Sequence, residues 1–224
     1  MDNRPIIDFY GKRVAVLGFG VEWQDVCRFL LKRCCKDITV FDQKTRRELP
    51  RAYGKFKSLG IKFKLGKGCL KDGLGDFNLI YLSPGFYRWL PPIVEAEKSG
   101  AVVASATKLF FELCSGKIIG VTGTKGKGTT ATLIYEILKK AGKKVFLAGN
   151  IGKPMLSLLP KITFNHWVVL ELSSFQLIDL DKSPHLAVVL FITSEHLDHH
   201  KDKEEYIQAK ANIVKYQTKD DFTV

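Results

Sequence analysis

Short apolar runs alternate with amphipathic stretches along the first half of the chain. The apolar runs predict strands at residues 14–17, 38–41, 62–65, 79–82 and 102–104. Between and after them, the spacing of apolar positions predicts helices at residues 24–34, 91–99 and 107–113. Strands that alternate with helices in this way are typical of βαβ units on a mostly parallel sheet.

A second series of the same kind begins at residue 118. It predicts strands at residues 118–121, 145–147, 167–172 and 186–192, with helices at 127–141 and 203–216. The two series predict an α/β chain with a Rossmann-like domain over residues 1–114 and a P-loop NTPase-like parallel-sheet domain over residues 115–224. Residues 221–224 resemble the start of one more strand, so we expect the second sheet to be incomplete.

Composition narrows the class of protein. With 46% apolar and 26% charged residues, the chain is typical of soluble globular proteins. Its longest apolar run, residues 186–192, is shorter than the roughly 20 residues that cross a bilayer, and residues 1–10 lack the apolar core of a signal peptide. We therefore expect a cytoplasmic protein without a membrane partner. The cysteines form no CxxC pair, which favours reduced thiols over a zinc site or disulfides.

The formal net charge is +12. Such a field favours anionic ligands, although a basic surface without a ligand gives the same charge. No aromatic RNA-binding pattern interleaves the lysines, so a phosphorylated small molecule fits better than nucleic acid.

The first glycine-rich turn, Gly18-Phe19-Gly20, follows an apolar strand and precedes a helix. Such a turn lets a phosphate approach the backbone at a helix N-terminus, and Asp42 at the end of the next strand is placed to bind a ribose. Trp23 occupies the third glycine position of the dinucleotide fingerprint, which argues against NAD. A GxG turn alone is also common for structural reasons, so nucleotide binding and a structural turn both stay open.

The second glycine-rich turn, residues 120–130, joins an apolar strand to a long helix. Its N–H groups are suited to hold phosphates, Lys127 to reach the β- and γ-phosphates, and Thr129 or Thr130 to help hold Mg²⁺. The strict Walker pattern fails at Val121 and Gly128, and a flexible basic turn is the alternative. The order of strand, glycines, lysine, hydroxyls and helix favours ATP.

These residues resemble a known family. The segment Gly123-Thr124-Lys125-Gly126-Lys127-Gly128-Thr129-Thr130 is similar to the P-loop of the Mur ligases and folylpolyglutamate synthetases, which use ATP to activate a carboxylate for amide formation. Residues 149–152, 171–177 and 195–198 keep the order of the family's motifs. The string at 171–177 is typical of the branch that adds D-glutamate to UDP-N-acetylmuramoyl-L-alanine in peptidoglycan synthesis. Residues 11–14, 18–20 and 83–85 resemble that branch's UDP-binding domain.

The resemblance implies a role for each matching residue. It places Lys127, His196 and Lys210 in catalysis, with Lys210 carbamylated. Two Mg²⁺ ions would be held by Thr129, Glu171, His196 and Lys210. ATP would lie on Gly123, Thr124, Lys125, Gly126, Lys127, Gly128, Thr129 and Thr130. The muramoyl substrate would contact Gly18, Phe19, Gly20, Val21, Glu22, Asp42, Gln43, Ser83, Pro84, Gly85, Asn150, Ser173 and Gln176.

Other interpretations remain beside this one. From the residues alone, His196 is equally a polar loop histidine and Lys210 an ordinary helix lysine. Lys125 and Gly128 make the loop more like that of a folylpolyglutamate synthetase, which is the alternative enzyme, and a nucleotide-binding module without turnover is the non-enzymatic one. Family members continue into a C-terminal ligase domain that this sequence lacks, so we expect little ligase activity from the chain alone. We also expect the chain to be a monomer.

Overall fold

The computed structural model describes residues 9–49, 51–193 and 200–224. The chain divides into two compact units, Met1–Leu109 and Phe110–Val224. Each unit contains a five-stranded sheet, and all of the strand pairs described in these sheets are parallel. The α/β class predicted from the alternating pattern is therefore confirmed, and the domain bounds 1–114 and 115–224 stay a prediction.

The elements of the first unit follow the predicted order, with one additional helix. They are β1 (Arg13–Leu17), α1 (Val21–Lys32), β2 (Asp37–Asp42), α2 (Ala52–Ser58), β3 (Lys62–Leu65), β4 (Leu79–Leu82), α3 (Pro91–Lys98), β5 (Val102–Ala104) and α4 (Ala106–Leu113), which spans the division. The sheet order is β3-β2-β1-β4-β5. The order reverses between β1 and β4, and ligands of such sheets bind at the carboxyl ends of the strands at this point.

The core of the first unit explains why its strands were recognisable. In β1 every residue from Val14 to Leu17 is fully buried, because the central strand of a parallel sheet is covered on both faces. Phe41 of β2 packs edge-on against Phe77, with ring centroids 5.5 Å apart. The run of consecutive apolar residues therefore arises because the strand is buried on both faces of the sheet.

The second unit repeats the pattern around a different sheet. Its elements are β6 (Lys117–Thr122), α5 (Lys127–Lys140), β7 (Val145–Gly149), a 3₁₀ helix (Leu156–Lys161), β8 (Trp167–Glu171), α6 (Ser174–Leu177), β9 (Leu186–Val189), α7 (Lys203–Lys215) and β10 (Phe222–Thr223). The order is β10-β9-β6-β8-β7, so β6 is central and β10 lies at an edge.

Strand β9 is shorter than the sequence predicted. It ends at Val189, whereas the apolar run continues to residue 192. The Leu190 N–H donates to the Thr122 carbonyl at 2.9 Å, and the next carbonyl, that of Phe191, accepts from the Thr124 N–H at 3.0 Å. The chain thus leaves the sheet to contact the glycine-rich turn, and Phe191 is 82% exposed.

The cysteines are free thiols: Cys27, Cys34, Cys35, Cys69 and Cys114. Burial raises the pKa of Cys27 to about 12 and that of Cys35 to about 11, so both are protonated at neutral pH. Among the helices that the structure describes, none combines the length and apolar character needed to cross a membrane.

Candidate functional site

The first glycine turn directly follows β1 and lies beside the carboxyl ends of the two neighbouring strands, β2 and β4. Gly18 has φ +103°, and a side-chain carbon at this position would overlap the Ser83 hydroxyl. The Gly18 N–H donates to the Phe41 carbonyl at 2.7 Å. Only glycine accommodates this backbone conformation and this close approach together. The glycine at position 18 therefore allows the turn to pack against both neighbouring strands, β2 and β4.

Asp42, predicted to bind a ribose, already holds the backbone of the turn. Its Oδ2 accepts from the Phe19 N–H at 2.9 Å, and its Oδ1 accepts from the Lys44 N–H at 2.8 Å. Each carboxylate oxygen has a second lone pair, so Asp42 still has capacity for a ligand hydroxyl. Its first role in the structure is to fix the shape of the turn and of the loop after β2.

A cavity of about 450 Å³ opens beside this turn. It is lined by Gly18, Phe19, Gly20, Trp23, Asp42, Gln43, Lys44, Glu48, Lys67, Ser83, Pro84, Gly85 and Phe86. The structure thus brings together most of the residues predicted to contact the muramoyl substrate. Val21 and Glu22, also predicted, do not line the cavity; they form the first turn of α1, where Val21 is 71% exposed.

Five residues of the cavity were not predicted as ligand contacts: Trp23, Lys44, Glu48, Lys67 and Phe86. The ring of Trp23 is buried near Gly18 and Gly20 and forms part of the wall. Lys44 and Lys67 add two cations. No local pattern identifies them, because Lys67 comes from the loop after β3 and reaches the cavity only through the fold.

Glu48 adds a second carboxylate to the cavity lining, beside that of Asp42. The Thr45 hydroxyl and N–H both donate to Glu48 Oε2, at 2.7 and 2.8 Å. These hydrogen bonds lower the pKa of Glu48 below its usual value. The carboxylate is therefore charged at neutral pH and offsets part of the positive charge of the two lysines.

The second glycine turn connects β6 to the N-terminus of α5. Gly126 caps the helix with φ +83°, and Lys127 is its first residue. The Lys127 Nζ donates to the Thr124 carbonyl at 2.8 Å. Lys125 and Thr129 are exposed. Because the first N–H groups of a helix lack partners within the helix, this end of α5 is suited to an anion.

Glu171 lies at the end of β8, directly beside this turn. Its Oε2 is buried and has no hydrogen-bond partner among the described residues. A side-chain carbon on Gly128 would lie 3.3 Å from this oxygen. A buried carboxylate oxygen without a partner is costly, and hard cations such as Mg²⁺ bind carboxylate oxygens. The carboxylate therefore fits a cation at the start of α5.

Glycine and asparagine from the end of β7 position Glu171. Gly149 has φ +98°, and a side-chain carbon there would overlap the Glu171 carbonyl. The same carbonyl accepts from the Asn150 N–H at 3.0 Å, and Asn150 Nδ2 donates to Glu171 Oε1 at 3.4 Å. Asn150, predicted as a substrate contact, is thus brought to the predicted metal ligand.

The remaining predicted residues divide into three groups. Lys210 of α7 is 2% exposed, and its Nζ donates to the Gly123 carbonyl at 2.9 Å, so the structure places it at the base of the turn. Ser173 and Gln176 form the capping box of α6. His196 lies outside the described residues. Within those residues, no three His, Cys, Asp or Glu side chains cluster as a metal site.

Comparison with known proteins identifies the second unit. Residues 121–224 match the Mur ligase middle domain. The chain is 45% identical over 210 residues to UDP-N-acetylmuramoylalanine--D-glutamate ligase of Acetivibrio thermocellus, a match that covers 94% of this chain and 45% of that protein. The corresponding ligase of Clostridium kluyveri is 42% identical over 213 residues, covering 95% and 46%. The chain thus spans about half the length of these curated relatives.

Solved structures give the same fold. UDP-N-acetylmuramate:L-alanyl-gamma-D-glutamyl-meso-diaminopimelate ligase from Neisseria meningitides matches with a TM-score of 0.55 at 17% identity, covering 95% of this chain and 70% of that one. UDP-N-acetylmuramate-alanine ligase from Thermotoga maritima matches with a TM-score of 0.51 at 19% identity, covering 90% and 46%. These structures share the fold of the chain, and the sequence matches show that it is similar to Mur ligases over 94% of its length, with a Mur ligase middle domain at residues 121–224.

Proposed function

We propose that this chain supplies the substrate-binding and ATP-binding parts of a ligase that joins D-glutamate to UDP-N-acetylmuramoyl-L-alanine in peptidoglycan synthesis. Residues 1–114 bind the UDP substrate and residues 115–224 bind ATP. The observation that carries the proposal is the buried Glu171 oxygen beside the N-terminal turn of α5. It occurs in a chain 45% identical to a ligase of that name.

The ATP phosphates lie on the turn of residues 123–130. Their oxygens accept from the free N–H groups at the start of α5, and Lys127 moves from the Thr124 carbonyl to the β- and γ-phosphates. This exchange is favourable because a charge-assisted hydrogen bond to phosphate is stronger than one to a neutral carbonyl.

Mg²⁺ would be held by Glu171 together with Thr129, His196 and Lys210, the last as its carbamate. When bound, the ions neutralise the phosphate oxygens and stabilise charge that develops during transfer. Glu171 supports this assignment most directly, because its Oε2 is buried without a partner among the described residues.

The UDP part of the substrate lies in the cavity beside Gly18. Lys44 and Lys67 supply positive charge there, and the N-terminus of α1, which has no side-chain cap, supplies the N–H groups of its first turn. This combination is suited to a diphosphate. A folylpolyglutamate synthetase has no need of such a cavity before the ATP loop.

The reaction proceeds in two displacements. An oxygen of the muramoyl-alanine carboxylate bonds to the γ-phosphorus of ATP as the bond to the ADP oxygen breaks, which gives an acyl phosphate and ADP. The amine of D-glutamate then bonds to the acyl carbon, inorganic phosphate leaves, and the nitrogen loses a proton. Lys127 contributes by neutralising charge on the transferred phosphate.

Calorimetric titration of the chain tests the proposal without requiring turnover. UDP-N-acetylmuramoyl-L-alanine is the ligand, NADH is the control for a dinucleotide site, and ATP with Mg²⁺ is titrated separately. We expect saturable binding of the muramoyl nucleotide and of ATP, and none of NADH. A folded chain that binds ATP but not the muramoyl nucleotide would overturn the assignment of the substrate and leave a nucleotide-binding module.

A further inference from the structure

The polar groups of Thr124 are occupied by the protein itself. Its N–H donates to the Phe191 carbonyl at 3.0 Å, and its carbonyl accepts from Lys127 Nζ at 2.8 Å. The Thr124 hydroxyl donates to the Thr193 carbonyl at 3.2 Å and accepts from the Thr193 N–H at 2.8 Å. Thr124 is 6% exposed. A residue engaged in this way does not offer its hydroxyl to phosphate.

Tyr206 of α7 completes the environment of this hydroxyl. The Tyr206 and Thr124 oxygens lie 3.1 Å apart. A hydroxyl has one proton and two lone pairs. Since the Thr124 proton goes to the Thr193 carbonyl and one lone pair accepts the Thr193 N–H, the tyrosine is the donor to the second lone pair. All hydrogen-bonding capacity of the Thr124 hydroxyl is then used within the protein.

The ring of Tyr206 is held firmly in the second unit. The side chain is 1% exposed. His200 contacts the ring edge-on, with centroids 5.5 Å apart, and Lys210 Nζ lies 4.9 Å from the ring centroid. Helix α7 itself is tied to α6 because Asn212 Nδ2 donates to the Leu177 carbonyl at 2.9 Å. The tyrosine hydroxyl therefore has little freedom to follow Thr124 if the turn moves.

We propose that Tyr206 and Thr124 are positioning residues for the ATP loop: the contact between their hydroxyls fixes the Thr124 carbonyl that holds Lys127 ready for phosphate. The inference rests on the proposed binding of ATP at this turn. Thr124 consequently shapes the site without contacting the ligand through its side chain, whereas Lys127 and the N–H groups of α5 contact the ligand. Preorganisation of this kind increases affinity because less ordering remains to be done on binding.

Tyr206→Phe tests the contact, because it removes one hydroxyl and keeps the ring between His200 and Lys210. Tyr216→Phe is the matched control, since Tyr216 follows the last residue of α7 and is 40% exposed. Thr124→Val removes the Thr124 hydroxyl at nearly constant shape, and Thr124→Ser restores a hydroxyl at the same position. ATP affinity is measured by titration at a temperature where circular dichroism shows each variant to be folded.

We expect Tyr206→Phe to weaken ATP binding about five-fold, the effect of one buried hydrogen bond. Thr124→Val should weaken it about 30-fold, because several bonds are lost, while Thr124→Ser and Tyr216→Phe should match the wild type. A folded Tyr206→Phe variant with wild-type affinity would overturn this inference and leave the proposed function standing. A wild-type chain that fails to bind ATP would overturn the proposed function and this inference with it.

Discussion

The two glycine turns of this chain are built alike and held differently. Both follow a buried strand and open a helix at the carboxyl edge of a parallel sheet. The first is held by the neighbouring strand, since Asp42 accepts from the Phe19 N–H. The second is held by a helix much later in the chain, where Lys210 donates to the Gly123 carbonyl and Tyr206 contacts Thr124.

This difference teaches what each turn can do. The first turn carries no lysine of its own, and its cations, Lys44 and Lys67, come from loops around an open cavity. The second turn carries Lys127, already hydrogen-bonded within the loop, and faces the Glu171 oxygen that has no partner in the part of the chain that the structure describes. An open cavity is suited to a large substrate, whereas a loop held from several sides is suited to aligning phosphates for transfer.

The largest effect is expected from the lysine that only the second turn has. Lys127→Ala should weaken ATP binding about 100-fold, because it removes a charge-assisted contact to phosphate. Lys125→Ala is the control: this lysine lies in the same turn, is exposed, and changes the net charge equally. Titration calorimetry measures both. Equal losses for the two variants would show that charge alone, and not the position of Lys127, attracts the nucleotide.

The first turn should be more sensitive to shape. Gly18→Ala should lower the free energy of unfolding by about 2 kcal/mol, because it combines a strained φ with overlap at Ser83. Gly11→Ala is matched, with φ +64° and open space around the new carbon, and should cost about 1 kcal/mol. Urea unfolding measures both variants. Equal costs would mean that Ser83 moves aside without penalty.

A smaller effect is expected at Glu171, where the contribution of the metal can be measured separately from the binding of the nucleotide. In Glu171→Gln, the gain in ATP affinity on adding Mg²⁺ should fall about ten-fold, since an amide is a weaker ligand than a carboxylate. Affinity measured without metal should not fall, because a negative charge near the phosphates has been removed. Glu136→Gln, at an exposed site on α5, should keep the full gain. A Glu171→Gln variant with an undiminished gain would remove Glu171 from the metal site.

Much of the fold follows from the sequence because buried parallel strands leave continuous apolar runs. All strands of both sheets were predicted, with errors at their ends. Three short elements were missed: helix α2, the 3₁₀ helix Leu156–Lys161 and helix α6. Elements of so few residues do not show a clear period of apolar positions. Strand β9 was extended too far, since the exposed Phe191 continues the apolar run while its carbonyl turns toward Thr124.

The candidate sites were predicted where one continuous motif supplies them. The turn of residues 123–130 is such a motif, and its position at the start of α5 followed directly. Lys67 in the first cavity and Tyr206 behind Thr124 were not predicted, because they reach these places only through the fold. Thr124 was predicted to bind ATP as part of its motif, and the structure shows that its hydrogen-bonding groups are occupied within the protein.

The central claim is that the two turns bind different ligands independently. Asp42→Ala and Lys127→Ala, each titrated with UDP-N-acetylmuramoyl-L-alanine and with ATP and Mg²⁺, test it in one calorimetric comparison. We predict that Asp42→Ala weakens binding of the muramoyl nucleotide and keeps ATP affinity, while Lys127→Ala weakens ATP binding about 100-fold and keeps affinity for the muramoyl nucleotide. If both variants lost the same ligand, or if either ligand bound equally well to all forms of the chain, the claim of two separate sites would be contradicted.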